Sequence, residues 1–388
     1  MTAIQNYSRL IDGIFGVGTT TFDTTKDTYN HVIGALNDPT EYTDFTANFI
    51  ERLQRLKKIY ITHPDYLKEI LKKVKEIANE KNNWKGAFAE LTAYDHLNGD
   101  ILKHKTYIHN PIQPNVKLDK SKSFALECGK NETDLDGFVE DRNLYFDVKC
   151  FKDNVTEILE GIYKDFKRHL GTDDIHITAE LDLNISFDDF ESKRGELLNE
   201  LKIGVTIANK VKYFRSSVVQ NLSYRILWGG GILTAERSYH PFSHAKNYHK
   251  TIFDYTNKFM KDESTVIVLV VFPWYNLVVS DFADGNIKFY RALARRFFCQ
   301  YKHDTTLFKT FNSKFTGSQT MYEISNNLSG IIFLEDDTIL SKDPSKTNVK
   351  SFVYLNPNAL KPLTKSLARE FIMGLHNSEY DDFEHDNY

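Results

Sequence analysis

Cysteine is scarce in this chain of 388 residues: there are 3, Cys128, Cys150 and Cys299, with no CxxC pair among them. That excludes a disulfide framework and offers no zinc spacing, which fits a reducing compartment. Long apolar runs are missing too, since the longest, Val266 to Pro273, is much too short to span a bilayer. The opening MTAIQNYSRLIDGIFG has no basic stretch leading into an apolar one, so no secretory signal is expected. These absences predict a cytoplasmic protein with no membrane partner. Neither charge sign dominates: 49 Lys and Arg stand against 53 Asp and Glu, a net charge of −4. A phosphate-binding surface, where there is one, must therefore be local. Nucleotide-phosphate loops are lacking as well. WGGGIL, from Trp228, has neither G-x-G-x-x-G nor GK[ST] spacing, and GVGTTT near residue 16 has no preceding strand and no lysine. Energy-dependent translocation would need a partner protein.

What is present is a foldable chain. Hydrophobic residues make up 41% and charged residues 26%, enough for a packed core. The 28 Phe and 21 Tyr against 3 Trp favour strand-containing α/β structure over a helical bundle. Residues 1 to about 80 read as helices; PDYLKEILKKVKEIANE carries Leu67, Ile70, Leu71, Val74 and Ile77 at helical spacing, with lysines on its remaining face. WKGAFAELTAYDHLNGD predicts a helix ending near Asn98-Gly99. Two strands follow at Leu135 to Val139 and Leu144 to Val148, then a helix over 155–170. The stretch to about 220 reads as an insertion. Strand-like runs return at LSYRILWGG, STVIVLVVFPWYNLVV, SGIIFLEDDTIL and SFVYLNPNAL, and the acidic end EYDDFEHDNY reads as mobile.

The two strands of the 133–150 hairpin carry charges where packing residues are usual. A turn centred on Asp141-Arg142 sets Asp136 opposite Asp147 and Asp134 opposite Lys149. Side chains alternate along a strand and opposite residues share a face, so Asp134, Asp136, Asp147 and Lys149 collect on one side. Phe146, Val148 and Cys150 point to the other. Two facing carboxylates repel unless a cation lies between them, and hard oxygen ligands suit Mg²⁺ or Mn²⁺. A lysine one step beyond can orient or deprotonate a water, or offset charge on a phosphate. The plain alternative is a solvated face with salt bridges each worth under about 1 kcal/mol. A further carboxylate, Glu90, sits among Gly86, Ala87, Ala93 and Tyr94 of the preceding helix, a small and apolar setting that asks for a cation or hydrogen bonds.

Glu90 on a helix, Asp136 on one strand, and Asp147-Val148-Lys149 on the next resemble the active-site pattern of the PD-(D/E)xK nuclease superfamily, the restriction-endonuclease-like enzymes. The likeness covers residues 84–170, with later strands expected at 222–234 and 264–275. It departs from the pattern in having Leu135 where a proline precedes the first Asp. Asp134 is the other candidate for that first position, and the hairpin register favours Asp136. The resemblance implies an α/β fold with a restriction-endonuclease-like mixed central sheet flanked by helices. Its parts would be an N-terminal helical region (1–80), a nuclease core (81–175), an insertion (176–220) and a continuation of the core with recognition or dimerisation elements (221–388). It implies Mg²⁺-dependent hydrolysis of phosphodiester bonds, with Mn²⁺ able to substitute. Asp136 and Asp147 would hold the ion, with Glu90 and the Val148 carbonyl as further ligands and Lys149 beside the attacking water.

RALARRFFCQYK places Arg291, Arg295 and Arg296 on a helix, the best local basic patch for a nucleic-acid backbone. His240, His244 and His249 fit no zinc signature and read as surface or substrate-contacting. The resulting expectation is a DNA endonuclease of restriction (type II-like) or anti-phage defence type, working as a homodimer, with a partner protein of a defence system as a further candidate partner. A nuclease of the same fold acting on RNA or on branched or damaged DNA is the alternative. A non-catalytic nucleic-acid-binding assembly protein is another.

Overall fold

Buried side chains line the helix Trp84–Lys103 on nearly every side, from Trp84 through Phe88, Leu91 and Tyr94 to Leu97. A computed structural model gives this architecture. It describes residues 2–23, 30–40, 42–79, 84–103, 110–151, 154–172, 174–181, 190, 192–205, 211–220, 222–229, 241–273, 285–338, 349–371, 379–384 and 386. The chain divides into two compact units. The first comprises Met1–Phe151, Thr251–Leu277 and Ala294–Tyr388, and the second Lys152–Lys250 and Val278–Leu293. The sequence reading attaches the helix over 155–170 to the core, whereas the second unit begins at Lys152 and contains it.

In the first unit, α1 (Ala3–Phe15), α2 (His31–Asn37), α3 (Thr43–Tyr60) and α4 (Pro64–Asn79) precede the central helix α5 (Trp84–Lys103). Thr2 and Gln5 form a capping box that starts α1, each satisfying a backbone N–H that the first turn leaves open. Apolar residues recur at three- and four-residue spacing, as in Phe45, Phe49, Leu53, Leu56 and Tyr60 of α3 and Ile70, Val74 and Ile77 of α4, and these stripes are buried. Helix α5 runs through Gly99, where the sequence predicts its end. A glycine inside a helix costs about 1 kcal/mol, too little to stop one anchored like this. Asn98 donates to the Tyr60 hydroxyl and accepts from Ile112 N–H.

The strands, in chain order, are β1 (Gln113–Leu118), β2 (Thr133–Val139), β3 (Leu144–Cys150), β4 (Ile175–Leu181), β5 (Val211–Arg215), β6 (Leu222–Trp228), β7 (Ser264–Val271), β8 (Gly330–Asp336), β9 (Val349–Leu355) and β10 (Glu379–Asp381). Seven of them form a mixed sheet in the first unit, ordered β1-β2-β3-β7-β8-β9-β10. The pairs β3–β7, β7–β8 and β9–β10 are parallel; β1–β2, β2–β3 and β8–β9 are antiparallel. The protein is thus α/β, with a mixed sheet flanked by helices. Strand β7 is apolar and buried on both faces, as its sequence predicts: Val266, Val268 and Val270 join the core cluster that contains α3–α5, while Ile267 and Leu269 are buried on the reverse.

Two expectations are corrected here. The run at 222–234 is not a later strand of the central sheet. Its described part, β6, is the middle of a separate three-stranded sheet, β4-β6-β5, in the second unit. There Tyr224 and Ile226 pack with Ile162 and Phe166 of α6 (Asn154–Leu170) and Leu197 and Leu201 of α7 (Arg194–Gly204). Period-2 alternation identifies a strand but carries no label for its sheet. The acidic end is ordered where it is described: β10 pairs with β9, Phe383 is buried and stacks on Tyr354, and Asp386 accepts from Arg295 Nε at 2.6 Å. Among the described residues no helix is long and apolar enough to cross a membrane.

Candidate active site

The β2–β3 hairpin has the register that its turn predicts. Gly137 pairs with Phe146, Phe138 with Tyr145 and Val139 with Leu144, across a short 3-10 turn closed by Asn143 in the left-handed region (φ 47°). Gly137 is required by close approach, because a Cβ there would overlap the Phe146 ring. One step beyond this pair come Asp136 and Asp147, and the connection changes character. Val148 N–H donates to Asp136 Oδ2 at 2.7 Å. On the other side of β2, the ladder to β1 omits Asn115, which would stand opposite Asp136 and is itself left-handed (φ 51°). The Asp136 carbonyl instead accepts from the Tyr94 hydroxyl of α5 at 2.6 Å. Side chains have replaced strand pairing at Asp136, and irregularities of this kind are frequent where a strand presents a functional group.

Asp147 is fully buried, and no backbone amide or hydroxyl donates to its carboxylate. Two ammonium groups stand beside it instead. Lys149 Nζ lies 2.6 Å from Oδ2, and Lys258 Nζ lies 3.7 Å from Oδ1. Burial, together with the nearby Asp136 charge, pushes the Asp147 carboxyl up to about 7, and the two lysines offset only part of that rise. Burial alone would lower the Lys149 ammonium, but Asp147 and Asp136 outweigh it and hold the group above its ordinary value. Lys149 is therefore a fixed cation here, suited to orienting a water or an anion rather than to taking a proton.

Glu90 belongs to the same electrostatic group. Lys73 of α4 donates to its Oε1 at 2.8 Å, and the Tyr94 hydroxyl lies 3.5 Å from its Oε2. Burial first, then the charge of Asp136, raise the Glu90 carboxyl to about 8 against the pull of Lys73. Asp136 thus acts on both neighbours and links Glu90 on the helix to Asp147 on the strand. Asp134, the competing candidate, pairs with Lys117 of β1 and gives its mostly exposed carboxylate to Lys258 at 2.6 Å.

Glu90, Asp136, Asp147 and Lys149 are therefore brought together, and Val148 enters through its amide. Among the described residues no group of three or more His, Cys, Asp or Glu side chains is placed to hold a metal ion. Mg²⁺, however, is usually held by one or two carboxylates with waters completing its shell. Asp136 and Asp147 supply hard oxygens, and a buried Asp147 carboxylate neighboured by ammonium groups rather than fixed donors fits such an ion. Arg291, Arg295 and Arg296 are on α8 (Gly285–Cys299); all three are half-buried, and Arg295 is the partner of Asp386. His249 is buried rather than on the surface, its Nδ1 2.8 Å from the Lys246 carbonyl; His240 lies outside the described residues.

Four contributors escape sequence reasoning: Lys73, Tyr94, Tyr255 and Lys258. The Tyr255 ring lies under the Lys149 ammonium at 5.6 Å. Lys73 had a faint signal, standing three residues from Ile70 and four from Ile77 and so on the border of the apolar stripe of α4. Lys258, 124 positions from Asp134, had none. No family model, no curated protein and no solved structure matches this chain.

Proposed function

We propose that this chain is a divalent-cation-dependent nuclease of the PD-(D/E)xK kind, with DNA as its substrate. One observation carries the reading: Asp147, fully buried and met by lysine ammoniums rather than by fixed backbone or hydroxyl donors, sits beside Asp136 and the Lys149 cation. A buried carboxylate left in that condition is costly unless a ligand completes it. The mixed sheet, with a helix bearing Glu90 against the hairpin, supports a restriction-endonuclease-like fold. Asp136 and Asp147 would hold the ion, with Glu90 reaching it through water. When bound, Mg²⁺ or Mn²⁺ supplies Lewis-acid polarisation of the phosphate and a lowered pKa for water. Lys149 holds the attacking water in line and offsets charge developing on the phosphate. Val148 N–H and the Tyr94 hydroxyl fix Asp136, so the acid is positioned before substrate arrives. Cutting both strands of a duplex usually takes two active sites, so a homodimer is the form expected by analogy.

The test is incubation of wild type and Lys149→Ala with plasmid, single-stranded DNA and RNA, in Mg²⁺, Mn²⁺ or EDTA. Metal-dependent cleavage that disappears in the variant supports the reading, and the substrate cut separates a DNA enzyme from an RNA enzyme. Equal cutting by both proteins would remove the hairpin from consideration. No cutting by either, with no Mn²⁺-dependent rise in melting temperature, would favour a binding scaffold.

A further inference from the structure

Lys258 reaches the acidic group from the 3-10 helix His249–Lys258, a segment that no motif marks. Its ammonium donates to Asp134 Oδ1 at 2.6 Å and stands 3.7 Å from Asp147 Oδ1, with 14% of its side chain exposed. Lys149 takes the opposite oxygen of the same carboxylate. Tyr255, whose ring lies under Lys149, comes from the same segment. Residues three apart eclipse one another on a 3-10 helix, so Tyr255 and Lys258 leave it in the same direction. One buried carboxylate is thus flanked by two cations from different elements, Lys149 at 2.6 Å from one oxygen and Lys258 at 3.7 Å from the other.

We propose that Lys258 is a positioning residue of the nuclease site: a tethered counter-ion of Asp147 that a divalent cation displaces, and that then takes up a backbone phosphate of the nucleic acid. The proposal rests on the nuclease reading and deepens it. An ion bound at Asp147 Oδ1 would repel an ammonium at this distance. The other anchor of Lys258 is Asp134, whose backbone carbonyl and mostly exposed carboxylate both accept from it, so an ammonium displaced from Asp147 would keep partners on the solvent side. Solvent is where a polyanion approaches, and lysine is a common point-charge partner for phosphate.

The experiment is calorimetric titration of Mn²⁺ into the full-length protein as wild type, Lys258→Met, Lys258→Arg and Asp147→Asn, followed by cleavage kinetics. Methionine keeps the apolar stem without the charge; arginine keeps the charge. Lys258→Met should bind Mn²⁺ about tenfold more tightly, because the ion no longer competes with the ammonium. It should also raise the KM for DNA about tenfold with kcat little changed, the pattern of a lost binding contact. Lys258→Arg should restore both values. A merely structural lysine would lower the melting temperature and leave Mn²⁺ affinity alone, and that result would overturn the proposal. So would weaker Mn²⁺ binding in a folded Lys258→Met. Should wild type bind Mn²⁺, Asp147→Asn fail to, and Lys258→Met match wild type, the nuclease reading stands and only the counter-ion role falls. Should wild type bind no Mn²⁺ and cut nothing, both fall.

Discussion

Asp147 and Asp336 are both fully buried carboxylates, on strands of one sheet separated only by β7, yet they are treated in opposite ways. Asp336 is saturated. Arg52 Nη2 donates to its Oδ2 at 2.9 Å and the Thr92 hydroxyl at 2.7 Å, while the amide and hydroxyl of Thr338 serve Oδ1 at 3.1 and 2.6 Å. Arg52 comes from α3 and Thr92 from α5, so this carboxylate ties two helices to the end of β8. Asp147 has lysine ammoniums nearby and no backbone amide or hydroxyl donor. Charge, burial and sheet are shared; what differs is whether fixed donors complete the oxygens. A completed carboxylate is a bolt, and an incomplete one is a binding position.

The comparison is broken most forcefully by cleavage kinetics. Asp147→Asn should reduce kcat by at least about a thousandfold, on the order of 4 kcal/mol of transition-state stabilisation, while the melting temperature holds or rises. A sharp fall in stability instead would put Asp147 in the same class as Asp336. Next in size is Asp336→Ala, which takes from the buried Arg52 its nearest carboxylate and leaves it Asp95 at 3.5 Å. It should cost about 3–5 kcal/mol in urea unfolding, and the fraction still folded should keep metal-dependent cleavage. Gly137→Ala forces a methyl group into the Phe146 ring and should cost about 1–3 kcal/mol, with cleavage falling as the hairpin shifts.

Protonation gives a finer test. Burial and the Asp136 charge push the Glu90 and Asp147 carboxyls up to about 8 and about 7 in the folded protein, against about 4 for exposed carboxylates. Between these limits the folded state holds protons that the unfolded state has lost. Metal-free stability should therefore fall as pH rises from about 5 to about 8, by at most about 1.4 kcal/mol per pH unit for each group. Glu90→Gln should flatten the slope, and Mn²⁺ should raise the melting temperature at pH 8 far more than at pH 5. Differential scanning calorimetry across that range decides it; an unchanged slope in Glu90→Gln would count against the assignment. The smallest effect belongs to Arg295→Ala, which removes a partly exposed ion pair with Asp386 worth under about 1 kcal/mol. If Arg295 also meets a phosphate, the salt dependence of DNA binding should lose about one unit of slope.

The hairpin was legible because strand period and turn position together set its register, and that register puts Asp136 opposite Asp147. Glu90 was legible because its helical neighbours are small and apolar. The lysines that balance these acids were not, because Lys73 and Lys258 arrive by tertiary packing from other segments. The ordered acidic end was misread from its charge, although Tyr380 and Phe383 within it were the anchoring residues. Which sheet β6 would join lay beyond any local pattern, since alternation is the same in both.

The two rims of the seven-stranded sheet bear on how copies of this protein can assemble. One rim is β1, where Pro114 has no N–H to offer and Asn115 turns out of extended geometry. The other is β10, three residues long and carrying Glu379 and Asp381. Neither presents an uninterrupted row of unpaired amides, and both carry the features that discourage edge-to-edge addition. A sheet continued from one copy into the next is thereby disfavoured, so self-association would have to proceed through helices or loops.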